Sequence, residues 1–326
     1  MSRGWRKDRP WLALVCAVGV CAAARGSNLV QANAALQAGQ ADSALAILSS
    51  LAPGEANSAE AHNLRCRVLF TLEKWDIAAM ECEQAVVLDP QNSNDHMWLG
   101  RALGEKADSA SFVTAYGLAK RSRAEFERAV ELNPRNAEAL ADLGEFYYSA
   151  PGVVGGGAAK AESVAAKLDR VDAVRAHELR AAIAQENRDF ATTERELRAA
   201  LAVSAHPAFE WIKLASFYRR NKRWTEMESA IQNGKAAAER DRHAAVALYY
   251  GATVLTKANR DPALAIKMLQ MYLASQGQTE EAPAFVAHVY LARLEKQMGD
   301  TAGAKNERSA ALALANEYKP AQELKF

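Results

Sequence analysis

WIKLASFYRRNKRWTEMESAIQNG, residues 211–234, is the stretch that decides the fold. Trp211, Leu214, Ala215 and Tyr218 recur at intervals of three and four, so they share one face of a helix. Met227, Ile231 and Gly234 do the same for a second helix, with Trp224 just ahead of it. Working outward, the same set returns along the chain. Leu140, Leu143, Gly144 and Tyr147 form one copy, and Leu99, Gly100 and Leu103 another, closed after a longer interval by Phe126, Ala129 and Pro134. Upstream, Cys66, Leu69, Ala78, Cys82, Ala85 and Pro90 keep the same intervals. The closing phrase Leu88-Asp89-Pro90 recurs as Leu132-Asn133-Pro134, 44 residues on.

Weaker copies fill the rest: Ala44 with Leu48 and Leu51, His177 with Leu197 and Ala200, Tyr249 with Ala265 and Leu269, and His288, Leu291 and Ala292 with Ala304 and Ala311. The small residues let two antiparallel helices approach closely, and the large ones fill the gap to the next pair. On the W-x2-L-G-x2-Y, A-x3-F, P pattern these residues carry, the chain resembles the tetratricopeptide repeat family. The resemblance implies an all-α fold, an α-solenoid of stacked antiparallel helix pairs wound as a right-handed superhelix. Seven to eight repeats are expected over residues 27–315, followed by a tail at 316–326. Polar caps at Ser58, Asn92 to Asn94 and Asn136 fit that register, and Pro53, Pro90, Pro134, Pro207 and Pro283 fall between helices.

Residues 1–26 stand apart. Arg3, Arg6, Lys7 and Arg9 precede an uncharged apolar run from Trp11 to Ala24, the pattern of a secretory signal. Fourteen helical residues rise about 21 Å against a hydrocarbon core of about 30 Å, so no stable transmembrane span is expected after processing. Val15 and Val20 stand where a lipidation box before Cys16 or Cys21 wants a small residue, which makes membrane anchoring by an uncleaved or lipidated N-terminus the minor reading. An exported, periplasmic or secreted protein is expected. The whole chain carries a formal charge of +1, with no basic footprint for nucleic acid.

Two segments depart from a plain repeat. About ten extra residues between Gly104 and Phe126 read as a lengthened second helix. Between Ser149 and Lys160 lies Ala150-Pro151-Gly152-Val153-Val154-Gly155-Gly156-Gly157, followed by Ala158-Ala159-Lys160 rather than the Gly-Lys-Ser or Gly-Lys-Thr of a phosphate-binding loop. A run of amides before a helix can still hold an anion, so a nucleotide-binding protein or enzyme using this loop is the outlying reading. The phrase Gly144-Glu145-Phe146-Tyr147-Tyr148 followed by these glycines is similar to a variant seen in exported bacterial tetratricopeptide proteins.

Little else suggests chemistry. His62, His96, His177 and His288 recur at the slot of Trp211 and Tyr249, a packing signature that spaces them a repeat apart. His206 and His243 fall in turns without a carboxylate or cysteine at ligand spacing. No catalytic site, cofactor or metal is expected. Cys66 and Cys82 face the buried side of one hairpin, where they either pair as a disulfide or act as two small apolar side chains.

The resemblance implies that first helices line the concave face and hold protein or peptide partners. First-helix positions directed away from the hairpin partner are Asn63, Arg67, Arg101, Glu105, Glu145, Tyr148, Glu178, Arg219, Arg220, Lys257, Arg293 and Lys296. Asn63, Arg67 and Arg101 are placed to grip a carboxylate, although the family's carboxylate-clamp set is not matched. The expected function is a non-enzymatic scaffold in the bacterial envelope. The alternative is a structural subunit of a secretion or outer-membrane assembly, held through its repeat edges.

Overall fold

The structure, a computed structural model, describes residues 28–326. The expected signal segment therefore lies outside the described residues, apart from whose start every repeat can be placed. Eight helical hairpins follow one another. They are α1 (28–37) with α2 (Ala41–Ser49), then, after a single turn α3 (Pro53–Ala56), α4 (Ala59–Thr71) with α5 (Trp75–Leu88), α6 (Ser93–Asp108) with α7 (Phe112–Leu132), and α8 (Ala137–Ser149) with α9 (Ala158–Leu168). The second half holds α10 (Ala173–Glu186) with α11 (Phe190–Val203), α12 (Ala208–Arg220) with α13 (Trp224–Ala238), α14 (Val246–Ala258) with α15 (Pro262–Ala274), and α16 (Ala284–Gln297) with α17 (Thr301–Leu314). A short α18 (Lys319–Gln322) ends the chain. This is an all-α solenoid of stacked antiparallel helix pairs.

Helix starts follow the polar residues read from the sequence. Ser58 Oγ accepts from the Ala61 amide at 3.2 Å, and Asn136 Oδ1 from the Ala139 amide at 3.1 Å. Asp172, Asp189, Asp261 and Asp300 cap later helices in the same way. Such a cap satisfies one of the orphan amides of a first turn and contributes about 1 kcal/mol.

The insertion is shared between two helices. The first helix runs on to Asp108, and α7 reaches 21 residues, passing straight through Gly117. The turn between them is set by Ser111, whose extended backbone precedes α7. Within this hairpin the glycine of the motif earns its place: a Cβ on Gly100 would stand 2.6 Å from the Phe126 ring. Close approach of the helices is what lets Phe126 be buried between them.

Burial divides among three apolar clusters. One spans the middle of the first half, around Leu99, Leu140 and Leu168, and a second the later repeats, around Leu214, Met227 and Tyr272. The third joins the two ends of the chain: Leu36, Leu48, Leu64 and Val68 pack with Phe285, Val289, Ala311 and Tyr318. The solenoid thus closes on itself. Residues 316–326, expected as a tail, contribute Tyr318 and Ala321 to that closing core, both buried. A backbone approach fixes the seam, since a Cβ on Gly39 would lie 2.3 Å from the Ala284 amide nitrogen, and Gly39 also has φ +67°. Only glycine meets both conditions without strain.

Candidate functional site

The ends are latched by a loop that the motifs do not reveal. Residues 275–283 link α15 to α16, and the Gln278 side-chain amide donates to the carbonyls of Leu273 at 3.0 Å and Ser275 at 2.6 Å. The buried Tyr272 hydroxyl donates to the Ala282 carbonyl at 2.5 Å and accepts from the Thr279 amide at 3.3 Å. So held, the turn points Glu280 across the ring. Arg67 Nη2 and Nε donate to its two carboxylate oxygens at 2.6 and 2.9 Å, and Gln37 Nε2 adds a contact at 3.0 Å. Tyr318 donates to Glu73 at 3.1 Å, the Asn316 amide to Asp42 at 2.8 Å, and Lys74 pairs with Glu317.

Closure turns the open groove expected from the register into an interior cavity of about 780 Å³. Its walls come from both halves: Phe70, Trp98, Arg101, Glu105 and Glu145 on α4, α6 and α8, and Tyr249, Glu280, Glu281 and Tyr318 opposite. A second cavity, about 490 Å³, lies between α8, α10 and α12 and is lined by Glu145, Tyr148, Glu178, Lys213 and Arg220.

Of the residues read from the register, Arg101, Glu105 and Glu145 meet at the first cavity, and Glu145, Tyr148, Glu178 and Arg220 at the second. Three placements need correcting. Asn63 is buried and donates to Asp95 at 2.8 Å, because α6 stacks over this face of α4. Arg67 and Arg101 are not free for a partner's carboxylate. The first is taken by Glu280, and Arg101 Nε donates to Asp142 at 2.6 Å. Arg219, Lys257 and Arg293 line neither cavity, nor does Lys296, whose ammonium donates to the Lys325 carbonyl at 2.5 Å.

Apart from Tyr148, aromatic residues were missing from that reading. Trp98 meets Phe70 edge-on with ring centroids 5.5 Å apart, and Phe70 meets Trp75 at 4.9 Å. The guanidinium carbons of Arg101 and Arg67 lie 4.6 and 5.5 Å from the Trp98 ring centre. Trp98 falls two residues beyond the recurring histidine slot, outside the motif's small-and-large set, so only the stacking of α4 and α8 beside it marks its role.

Charge in the first cavity is mainly negative, whereas acidic and basic side chains balance in the second. Burial, and then the neighbouring Asp108, Glu73 and Glu145 charges, push Glu105 above the ordinary carboxylate range. Glu145 rises for the same first reason, with Asp142 adding to it. Both side chains are exposed. Tyr148 is pushed up to about 12 by burial and by Glu145. Behind the second cavity the buried Glu210 is raised to about 8 by burial and by its contact with Glu178, which in turn pairs with Lys213.

The recurring histidines have a partner the sequence reading did not supply. His62, His96, His177 and His288 place Nδ1 at 2.6, 2.6, 2.9 and 2.5 Å from Glu81, Glu125, Glu196 and Glu307. Each pair joins the first helix of a hairpin to its second. Where the slot holds Trp211, the matching position nineteen residues on is Ala230 rather than glutamate; that interval, constant outside the insertion, was the available signal. His206 also gains a carboxylate, Asp241 at 2.5 Å.

In the glycine segment the amides of Val154, Gly155, Gly156 and Gly157 donate to the carbonyls of Pro151, Gly152, Pro151 and Tyr147 at 3.0, 2.9, 3.2 and 2.7 Å. Those donors are spent within the loop, which removes the ground for reading it as an anion cradle. Cys66 and Cys82, on the two helices of one hairpin, are joined in a disulfide with Cα atoms 5.3 Å apart.

No protein-family model matches the chain, and no curated protein matches it. Among solved structures, one similar to this chain is the crystal structure of the APC/C hetero-tetramer Cut9–Hcn1, at 12% identity and a TM-score of 0.39. The match covers 86% of this chain and 57% of that one, so this chain spans little more than half the length of its counterpart.

Proposed function

We propose that the protein is a non-enzymatic scaffold that holds a peptide or protein segment in the interior of the closed array. The observation that carries this reading is the cavity itself. About 780 Å³ lies within the range of pockets that enclose ligands, about 300–1,000 Å³, and its wall combines aromatic faces with charged groups supplied by six different elements. Helices fixed by hairpin packing present those groups rigidly, which lowers the entropic cost of binding.

Export to the bacterial envelope belongs to the same proposal. The basic and apolar pattern of residues 1–26 supports it, and a disulfide such as Cys66–Cys82 persists in oxidising compartments. Recovery of the protein from a periplasmic fraction with its first 24 to 26 residues removed is the expected result; a full-length cytosolic product would refute export.

A second reading, a structural subunit held by its edge, draws on one observation. At the outer tip of α7, Phe112 and Val113 are 87% and 82% exposed. Photo-crosslinking separates the two. Ser149→benzoylphenylalanine, at an exposed position in the wall of the 780 Å³ cavity, probes the interior and Phe112→benzoylphenylalanine the tip, each in the whole protein within envelope extract. Adducts from the interior alone are expected. Adducts from the tip alone would transfer the function to the edge, and none from either would remove the scaffold reading.

A further inference from the structure

The interior cavity selects its occupant by charge. Among the described residues Arg101 is the one basic side chain in its wall, and Asp142 binds it at 2.6 Å; Arg67, just outside the wall, is bound by Glu280 at 2.6 Å. Those charges cancel. What remains is an unbalanced set: Glu73 accepts from the Tyr318 hydroxyl, while the exposed Glu105, Asp108, Glu145 and Glu281 line the cavity with no ion pair to a basic side chain among the described residues. Holding several like charges around one partly enclosed space raises the free energy of each, and a cation placed between them relieves it. The upward displacement of Glu105, to which burial and then Asp108, Glu73 and Glu145 contribute, has this origin in part.

The wall suits a cation with an apolar stem. Phe70 and Trp75 form an edge-to-face pair at one side of the cavity, and Tyr249 faces them from the opposite half. Beside them, Trp98 already accepts two guanidinium groups of the chain's own arginines at 4.6 and 5.5 Å. The surface is therefore of a kind that holds guanidinium and ammonium groups by their attraction to aromatic faces. Acidic or purely apolar segments would meet the four uncompensated carboxylates and lose affinity.

Resting on the scaffold reading above, we propose that the occupant of the interior cavity is a basic peptide segment of a partner protein, with a lysine or arginine set among Glu105, Asp108, Glu145 and Glu281 and an adjacent apolar side chain against Phe70 and Trp75.

The test uses the mature chain and three acetylated, amidated hexapeptides that alternate leucine with arginine, with glutamate or with glutamine, titrated by calorimetry and by the change in tryptophan emission. The arginine peptide is expected to bind at least roughly tenfold more tightly than the glutamate peptide, with an advantage that shrinks as salt is raised. The double variant Glu105→Gln/Glu145→Gln preserves side-chain size at two exposed positions and is expected to weaken the arginine peptide roughly tenfold. Lys257→Gln, which lies outside both cavities, is expected to leave binding unchanged, and thermal melts of both variants report whether the fold is intact. Equal binding of the arginine and glutamate peptides, stronger binding of the glutamate peptide, or unchanged affinity in a folded double variant would overturn charge selection. Interior crosslinks from Ser149 would then still uphold the scaffold, so the two failures remain distinct.

Discussion

Arg67 and Glu280 stand 213 positions apart in the sequence and meet through two hydrogen bonds, at 2.6 and 2.9 Å, with both side chains less than one-fifth exposed. Their contact latches the second hairpin to the loop before the last, across the seam where the solenoid closes. Removing one partner leaves the other's charge partly buried, which costs about 3 kcal/mol where burial is deep and somewhat less here. Arg67→Ala is expected to lower the denaturation midpoint and to enlarge the radius of gyration in small-angle scattering as the seam opens. A variant that is less stable but unchanged in size would show that the apolar seam holds without the latch.

That seam makes its own prediction. In an open repeat array each unit touches only its neighbours, so a core truncation near the C-terminus loosens that end alone. Phe285 packs on Tyr318 with ring centroids 4.8 Å apart and joins the cluster of Leu36, Leu48 and Leu64. Phe285→Ala is expected to cost about 3–5 kcal/mol. Hydrogen exchange would quicken in α1 and α2 as well as in α16 and α17; acceleration confined to the C-terminal hairpin would argue against closure.

The Cys66–Cys82 disulfide closes a loop of 16 residues. Cross-linking a loop of that size stabilises by about 3 kcal/mol, chiefly by restricting the unfolded chain. The oxidised protein is expected to gain two mass units on reduction and to melt at a lower temperature afterwards. Cys66→Ser/Cys82→Ser should reproduce the reduced melt in the absence of reductant. Identical masses before and after reduction would leave the two residues as buried thiols.

Stability should depend on pH through Glu210. Its carboxyl is held at about 8 by burial and by Glu178, well above the unfolded value of about 4.3. The folded state therefore binds a proton that the unfolded state has lost. Its stabilising contribution is complete below about pH 4 and disappears as pH rises towards about 8. Glu210→Gln, always neutral and still able to donate to Glu178, should flatten the decline between those values and be the more stable protein at pH 8. Parallel melting curves for the two proteins across pH 5–8 would contradict this.

Much of the architecture could be read from residue spacing because a helical hairpin is a local object. Trp211, Leu214, Ala215 and Tyr218 fix one stripe, Met227 and Ile231 the facing one, and Ser58 and Asn136 mark helix starts within a few residues of their targets. The lengthened hairpin was legible for the same reason, although the extra residues went to both helices and Gly117 was no break. The site was legible only in part. Glu105, Glu145, Tyr148 and Arg220 follow from which side of a first helix faces inward, but Trp98, Glu280 and Glu281 do not.

By itself the sequence determined a helical hairpin repeated along the chain, together with the residues that cap, pack and punctuate it, since those contacts lie within about forty positions of one another. Tertiary structure alone decided that the stack closes. Closure depends on the accumulated rotation of eight hairpins, and on a loop at 275–283 whose tip meets Arg67 only once that rotation has brought the ends together. No local spacing encodes that sum, so the cavity, its uncompensated carboxylates and the loss of Arg67 and Arg101 as free cations emerge only in three dimensions.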